Sequence, residues 1–307
     1  MSIEYVRTPE QRFAELPGFP YAPRYLDDLE GYQGLRAAYI DEGPREAERT
    51  FLCLHGEPTW GFLYRKMAPV FLASGARVVI PDFFGFGRSD KPTDESVYSF
   101  AFHRNFLLAF SERLNLSGVT LVVQDWGGLL GLTLPLDSGF RGRLSRLLVM
   151  NTAIAAGEPP SPGFLAWRAY AGANPDLAVG ALIKRATPVL TDAEVAAYDA
   201  PFPDVTYKAG VRAFPKLVMT DPGMPGVDES RASIEFWSRE WAGDSFMAVG
   251  AADPVLGVEV MQRLRSQIRG CPEPLVIADG GHFLQEWGDQ VAPAALARFG
   301  DTTGPSK

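Results

Sequence analysis

Three titratable residues stand at the ends of apolar runs, and their order along the chain points to a shared chemistry. Leu121-Val-Val-Gln-Asp125-Trp126-Gly-Gly-Leu129 carries a strand-like run into an aspartate and then into two glycines. A nucleophile at a tight strand-to-helix turn projects from the sheet edge, and small neighbours let the backbone turn that sharply. The N–H of the next residue, Trp126, then faces the place where an oxyanion would form. An aspartate capping a helix after a strand would look the same, so this motif alone leaves both readings open. A second run, Leu52-Cys-Leu-His55-Gly-Glu57-Pro-Thr-Trp60, ends in a turn that brings the Glu57 N–H to the same edge. Two such donors make an oxyanion hole, although Gly and Pro also punctuate ordinary turns. His55 suits a structural hydrogen bond at that turn better than the part of a base.

Two further motifs are weak singly. Ala248-Val-Gly-Ala-Ala-Asp253-Pro-Val255 ends a run in an aspartate, and Ile277-Ala-Asp-Gly-Gly-His282-Phe-Leu284 ends one in a Gly-Gly loop with a histidine. An Asp before Pro is a common turn residue. Together, Asp125, Asp253 and His282 follow the nucleophile–acid–histidine order of an α/β-hydrolase. By contrast Asp82-Phe-Phe-Gly85-Phe-Gly87-Arg-Ser89 has Asp90 where a dinucleotide loop needs its third glycine, so a packing loop is expected.

The elements that must position these residues alternate. Buried strands are predicted at Thr50–Leu54, Arg77–Ile80, Val119–Val123, Leu147–Met150, Phe246–Val249 and Leu275–Ile277. Helical stretches fall at Phe100–Leu114, Leu129–Leu136 and Val258–Ile268. Apolar strands separated by helices imply a parallel sheet covered on both faces. Tyr25–Leu29 and Arg36–Ile40 read as an antiparallel edge hairpin turned at Gly31–Gly34. Residues 155–226 break the rhythm: they are bracketed by Gly157-Glu-Pro-Pro-Ser-Pro-Gly163 and Asp221-Pro-Gly-Met-Pro-Gly226. Between the brackets lie only helical stretches, at Gly163–Tyr170, Asp176–Lys184 and Asp192–Tyr198, which read as an inserted lid over the carboxyl ends of the strands. The domains expected are therefore a core of residues 1–154 and 227–307 and a helical cap of 155–226. The tail Gly300–Lys307 is expected to fray.

Composition narrows the function classes. The 307 residues hold 29 Lys and Arg against 37 Asp and Glu, a net charge of −8, which does not attract nucleic acid. No apolar stretch approaches the roughly 18–20 residues of a membrane span, and the first residues carry no apolar run of a secretory leader. Cys53 and Cys271 are too few for a disulfide framework or a metal site, so a reduced, cytoplasmic setting without metal or cofactor is expected.

Over roughly Tyr25 to Phe299 this constellation resembles the α/β-hydrolase superfamily: a mostly parallel central sheet flanked by helices, with an inserted cap. Within it the motifs look like those of the haloalkane dehalogenases, in particular the subfamily whose triad acid follows the strand after the lid. Val-Val-Gln-Asp125-Trp126-Gly-Gly, His55-Gly-Glu57-Pro-Thr-Trp60 and Asp253-Pro-Val-Leu-Gly257 carry the resemblance, and Phe164-Leu-Ala-Trp167 resembles the halide-binding lid segment. Val123 stands where many hydrolases have Gly, and dehalogenases commonly carry Val there.

The resemblance implies Asp125 as nucleophile, His282 as base, Asp253 as the acid orienting it, and the N–H groups of Glu57 and Trp126 as oxyanion hole. It also implies Trp126 and Trp167 as halide ligands, with Phe164 lining the pocket. A carboxylate nucleophile suits displacement at saturated carbon, giving an alkyl ester that His282 then hydrolyses. An indole N–H donates without a basic lone pair, which suits halide; a packing role for Trp167 is the alternative. An epoxide hydrolase would use the same triad with two lid tyrosines, and Tyr170, Tyr198 and Tyr207 are available. A hydrolase fold recruited as a ligand receptor is the third reading. The partners expected are a small haloalkane and its halide, with a monomer as the default assembly.

Overall fold

A computed structural model describes residues 3–32 and 34–301 of the chain. Eight strands form the central sheet: β1 (Arg24–Leu26), β2 (Ala37–Glu42), β3 (Thr50–Leu54), β4 (Arg77–Pro81), β5 (Val119–Val123), β6 (Leu144–Met150), β7 (Asp244–Gly250) and β8 (Leu275–Ile277). Their order across the sheet is β8-β7-β6-β5-β3-β4-β2-β1. β3 to β8 run parallel, while β2 pairs antiparallel with both β1 and β4. Every residue of β3, β4 and β5 is buried, as expected of apolar runs covered by helices on both faces.

The core helices are α1 (Ala68–Ala73), α2 (Phe100–Arg113), α3 (Trp126–Gly131) and α4 (Ser138–Arg141). The chain between β6 and β7 holds five more: α5 (Pro162–Ala173), α6 (Val179–Ala186), α7 (Asp192–Asp199), α8 (Ala209–Leu217) and α9 (Val227–Glu235). Two last helices, α10 (Val258–Ser266) and α11 (Gly288–Arg298), complete the outer layers. Serine and threonine caps set several starts: Ser99 opens α2, Ser161 opens α5, and Thr191 with Glu194 closes a capping box on α7. Among the described residues no helix is long and apolar enough to cross a membrane.

The differences from the predicted elements have local causes. The edge pair forms, but at Arg24–Leu26 and Ala37–Glu42, and Leu29 is buried in the connection rather than in the strand. Gly31 and Gly34 in that connection take φ of 83° and 93°, conformations that glycine supplies, while position 33 lies outside the described residues. The helix expected from Leu129 begins at Trp126 and ends at Gly131. Pro135, lacking an N–H, starts a separate tight turn at Leu134–Leu136. α8, with Pro215 inside it, was not marked by periodicity. Of the tail expected to fray, residues 302–307 lie outside the described ones.

What matters for the site is how closely α3 is set against the sheet. A Cβ on Gly127 would run into the carbonyl of Leu54, and one on Gly128 into the Thr152 side chain. Gly127→Ala should therefore destabilise the fold by about 1–3 kcal/mol, read by denaturant unfolding, because backbone cannot yield as a side chain does. Gly172→Ala, where a Cβ meets open space, should not destabilise it.

Candidate active site

Asp125 sits at the sharp turn between β5 and α3 with φ 49° and ψ −125°, a conformation rare for a residue with a side chain. Its main chain is held on both sides. The Asp125 N–H donates to the Asn151 carbonyl at 3.0 Å, and the Asp125 carbonyl accepts from Gly128 N–H at 2.9 Å and Thr152 Oγ1 at 2.7 Å. The turn aims the carboxylate at the end of β3, where Glu57 N–H donates to Oδ1 at 2.8 Å. Gly56 has to be glycine, since a Cβ there would overlap the Asp125 carboxylate. Trp126 opens α3, so its N–H is one of the first-turn donors a helix leaves free.

His282 approaches from the loop after β8. Its Nε2 lies 3.5 Å from Asp125 Oδ2 and its Nδ1 lies 2.8 Å from Asp253 Oδ2. Asp253, after β7, is buried and fully engaged: Oδ1 accepts from the N–H groups of Val255 at 2.8 Å and Leu256 at 3.1 Å, and Oδ2 accepts from Asn151 Nδ2 at 3.0 Å. The sequence reading thus placed four groups that do converge: Asp125, Glu57 N–H, Asp253 and His282. His55 and His103 are elsewhere. His55 accepts at Nε2 from Phe83 N–H and contacts the Gly56 carbonyl through Nδ1; His103 contacts the carbonyls of Ser99 and Phe84, and burial lowers both histidines to about 4.

Electrostatics set the protonation. Burial pulls His282 down, but the carboxylates of Asp253 and Asp125 outweigh it and hold the imidazole up at about 10. Burial pushes Asp253 up, and His282 with the two N–H groups more than reverses this, to about 2. The Asp253 contribution to stability is present above its ordinary 3.8 and lost as pH falls through about 2. That of His282 is present below its ordinary 6.5 and lost as pH rises through about 10. The Glu57 carboxyl is pushed well above its ordinary range by burial and by Asp125.

Two residues of this site carried no signal in the sequence. Asn151 joins the Asp125 main chain to the Asp253 carboxylate. Gln124, just before Asp125, places its Nε2 3.0 Å from both the His282 carbonyl and His282 Nε2. An amide nitrogen donates only to an unprotonated ring nitrogen, so Gln124 opposes the two carboxylates and favours the neutral imidazole.

The tryptophans divide cleanly. The indole N–H groups of Trp60, Trp237, Trp241 and Trp287 donate to Ala197, Leu132, Ser245 and Asp279, whereas those of Trp126 and Trp167 find no acceptor among the described residues. Trp126 is buried with its ring edge-on to Phe214 of α8 at 4.7 Å, a contact not read from sequence. Phe164 and Trp167 are half-buried on α5, and Gly163 brings that helix against the Pro254 carbonyl beside Asp253. Two of the three lid tyrosines are engaged or turned out, while Tyr207 is half-buried against the core. Tyr198 donates its hydroxyl to Glu286 at 2.5 Å, and Tyr170 is exposed beneath the Arg185 guanidinium.

Comparison with known proteins follows the same lines. Residues 49–289 match the family model of the alpha/beta hydrolase fold. The chain is 41% identical over 298 residues to a haloalkane dehalogenase of Psychrobacter cryohalolentis, covering 94% of this chain and 96% of that one. It is 43% identical over 288 residues to haloalkane dehalogenase 1 of Mycobacterium tuberculosis, covering 92% and 94%. Among solved structures, the tetrameric haloalkane dehalogenase DpaA of Paraglaciecola agarilytica NO2 superposes with a TM-score of 0.94 at 52% identity, covering 96% of this chain and 98% of that one.

The charge arrangement yields a titration test. In Asp125→Asn one of the two carboxylates holding the His282 proton is gone, so the imidazole should titrate well below about 10, as read by NMR of the ring. An unchanged midpoint would show that Asp125 does not govern the His282 imidazole.

Proposed function

The chain belongs to the haloalkane dehalogenases of the α/β-hydrolase fold, and from that premise we propose the part each residue plays in removing halide from a haloalkane by hydrolysis. The carrying observation is a carboxylate, Asp125, with one oxygen on the Glu57 N–H and the other 3.5 Å from His282 Nε2. Asp125 Oδ2 attacks the halogen-bearing carbon; the new C–O bond forms as the carbon–halogen pair leaves on halide. Oδ1 stays in the oxyanion hole as the ester carbonyl.

Esterification removes the Asp125 charge, so His282 keeps only Asp253 as counter-ion and releases its proton to solvent, helped by the Gln124 amide. The neutral imidazole then takes a proton from water as the water oxygen bonds to the Asp125 carbonyl carbon. The N–H groups of Glu57 and Trp126 meet the oxyanion. Collapse expels the alkoxide, which takes its proton from His282, and the Asp125 carboxyl returns a proton to the imidazole. The products are alcohol, halide and one proton.

For the leaving group, the two unengaged indole N–H groups, Trp126 and Trp167, support a halide site. A halide losing its hydration must be met by donors. The epoxide alternative is not favoured, since the relatives are haloalkane dehalogenases and Tyr198 spends its hydroxyl on Glu286. The division into a core of 1–154 and 227–307 and a cap of 155–226 fits α9, which follows the second Pro/Gly bracket and packs against the core turn Leu134–Leu136. For assembly, DpaA is tetrameric whereas a monomer is the default from sequence, and light scattering distinguishes the two.

Two measurements test the roles. His282→Gln should release about one halide per enzyme in a burst and then stop with the ester trapped, seen as added mass on the intact protein. A variant that turns over steadily would remove His282 from the base position. Trp167→Phe keeps the ring and loses the N–H, so halide quenching of tryptophan fluorescence should weaken about 10- to 100-fold in affinity, the worth of one hydrogen bond to an ion. Unchanged halide affinity would return Trp167 to packing.

A further inference from the structure

Four residues beyond His282 lies a buried cluster of charges that the reaction does not use. Glu286, 3% exposed, accepts from Arg65 Nη1 at 2.6 Å and Nη2 at 2.6 Å and from the Tyr198 hydroxyl at 2.5 Å, and pairs with Lys66 Nζ at 3.1 Å. Arg65, equally buried, also meets Glu194 Oε1 at 2.5 Å, while the other Glu194 oxygen accepts from Thr191 N–H and caps α7. Arg65 lies in the last turn of the short helix Gly61–Lys66 that follows the Glu57 turn. Tyr198 and Glu194 sit one turn apart on α7 of the inserted helices. One guanidinium therefore joins the segment of the oxyanion donor, the segment of the base and the insertion.

Burying these charges is costly, and an apolar set of the same volume would hold the layers together as well. Their placement around the His282 loop gives them a use. Upstream of His282 the chain is Gly280-Gly281, which stiffens nothing. Downstream, Leu284–Trp287 is a single tight turn with Glu286 clamped in it. A Cβ on Gly281 would strike the Ala186 carbonyl of α6, so the insertion touches the loop on both sides of His282.

We propose that the Arg65–Glu286 pair, with Tyr198 and Glu194, is a positioning device that seats His282 for ester hydrolysis when the inserted helices are docked. The idea rests on His282 being the base of the second step. Alkylation by Asp125 needs no base, so the device acts on hydrolysis alone. A displacement of His282 Nε2 of about 1 Å slows such a step by about 100-fold.

The test is rapid-quench halide release with a bromoalkane, alongside intact-protein mass, on the wild type, Tyr198→Phe, Glu286→Gln and the double variant Arg65→Met/Glu286→Met. The double variant removes both charges of the pair and leaves neither of the two buried alone, so it keeps the test open if Glu286→Gln does not fold. The expected result is an alkylation burst within about 2-fold of wild type and ester hydrolysis about 10- to 100-fold slower, with the ester accumulating, least in Tyr198→Phe. Equal loss of both steps, or no loss of either, would overturn the proposal and leave the cluster a structural tie. A wild type that forms no ester would instead overturn the reading of the reaction itself.

Discussion

The structure is organised around one strained residue. Asp125 holds a φ of 49°, and a side-chain-bearing residue pays about 1–3 kcal/mol for such a conformation. The surrounding main chain over-determines it: Asn151 at the end of β6, Gly128 and Leu129 in α3, and the Thr152 hydroxyl all bond its peptide groups. The same demand explains the glycines. Gly127 and Gly128 let α3 press on β3 and Thr152, and Gly56 leaves room for the carboxylate. What this achieves is a carboxylate held against a backbone N–H before any substrate arrives, so little reorganisation is left to the reaction.

Charge follows from that placement. Asp253 is stabilised by two N–H groups and an amide as well as by His282, so it stays ionised while buried. The imidazole between two carboxylates is held up at about 10, with Asp253 the larger hold, and loss of charge on Asp125 removes the other. In this reading the sequence of steps is written into the electrostatics: the base becomes available when there is an ester for it to hydrolyse. Gln124 adds to this bias because its amide nitrogen can pair only with the neutral ring. Glu57, close to the same groups, is pushed well above its ordinary range, since burial and the Asp125 charge outweigh the opposing pull of His282.

The inserted helices complete the site with aromatic surface and with contacts to the His282 loop. Phe214 of α8 packs on Trp126 and also on Phe86 and His103, tying the residue after Asp125 to the layer above it. The Gly281 contact with α6 and the Glu286 contact with α7 flank His282 in the same way. The insertion is therefore continuous with the Asp125–His282 site, not merely a cover for it.

The sequence by itself determined the parts that depend on local rules. Apolar runs long enough to be buried on both faces are strands of a parallel sheet, and Pro/Gly brackets mark where that rhythm stops. Asp125, Glu57, Asp253 and His282 were legible because each follows closely on the carboxyl end of a strand, and parallel strands end at one edge. Tertiary structure alone decided what depends on distant parts of the chain meeting. Asn151 and Gln124 are ordinary amides until the Asp253 and His282 loops arrive beside them. Trp126 and Trp167 stand apart from the other tryptophans only because those find acceptors elsewhere in the fold. Arg65 and Glu286, 221 positions apart, form a pair that no spacing could announce. Patterning reports which face of an element is buried, whereas the partner a buried polar group finds is settled only when the layers pack.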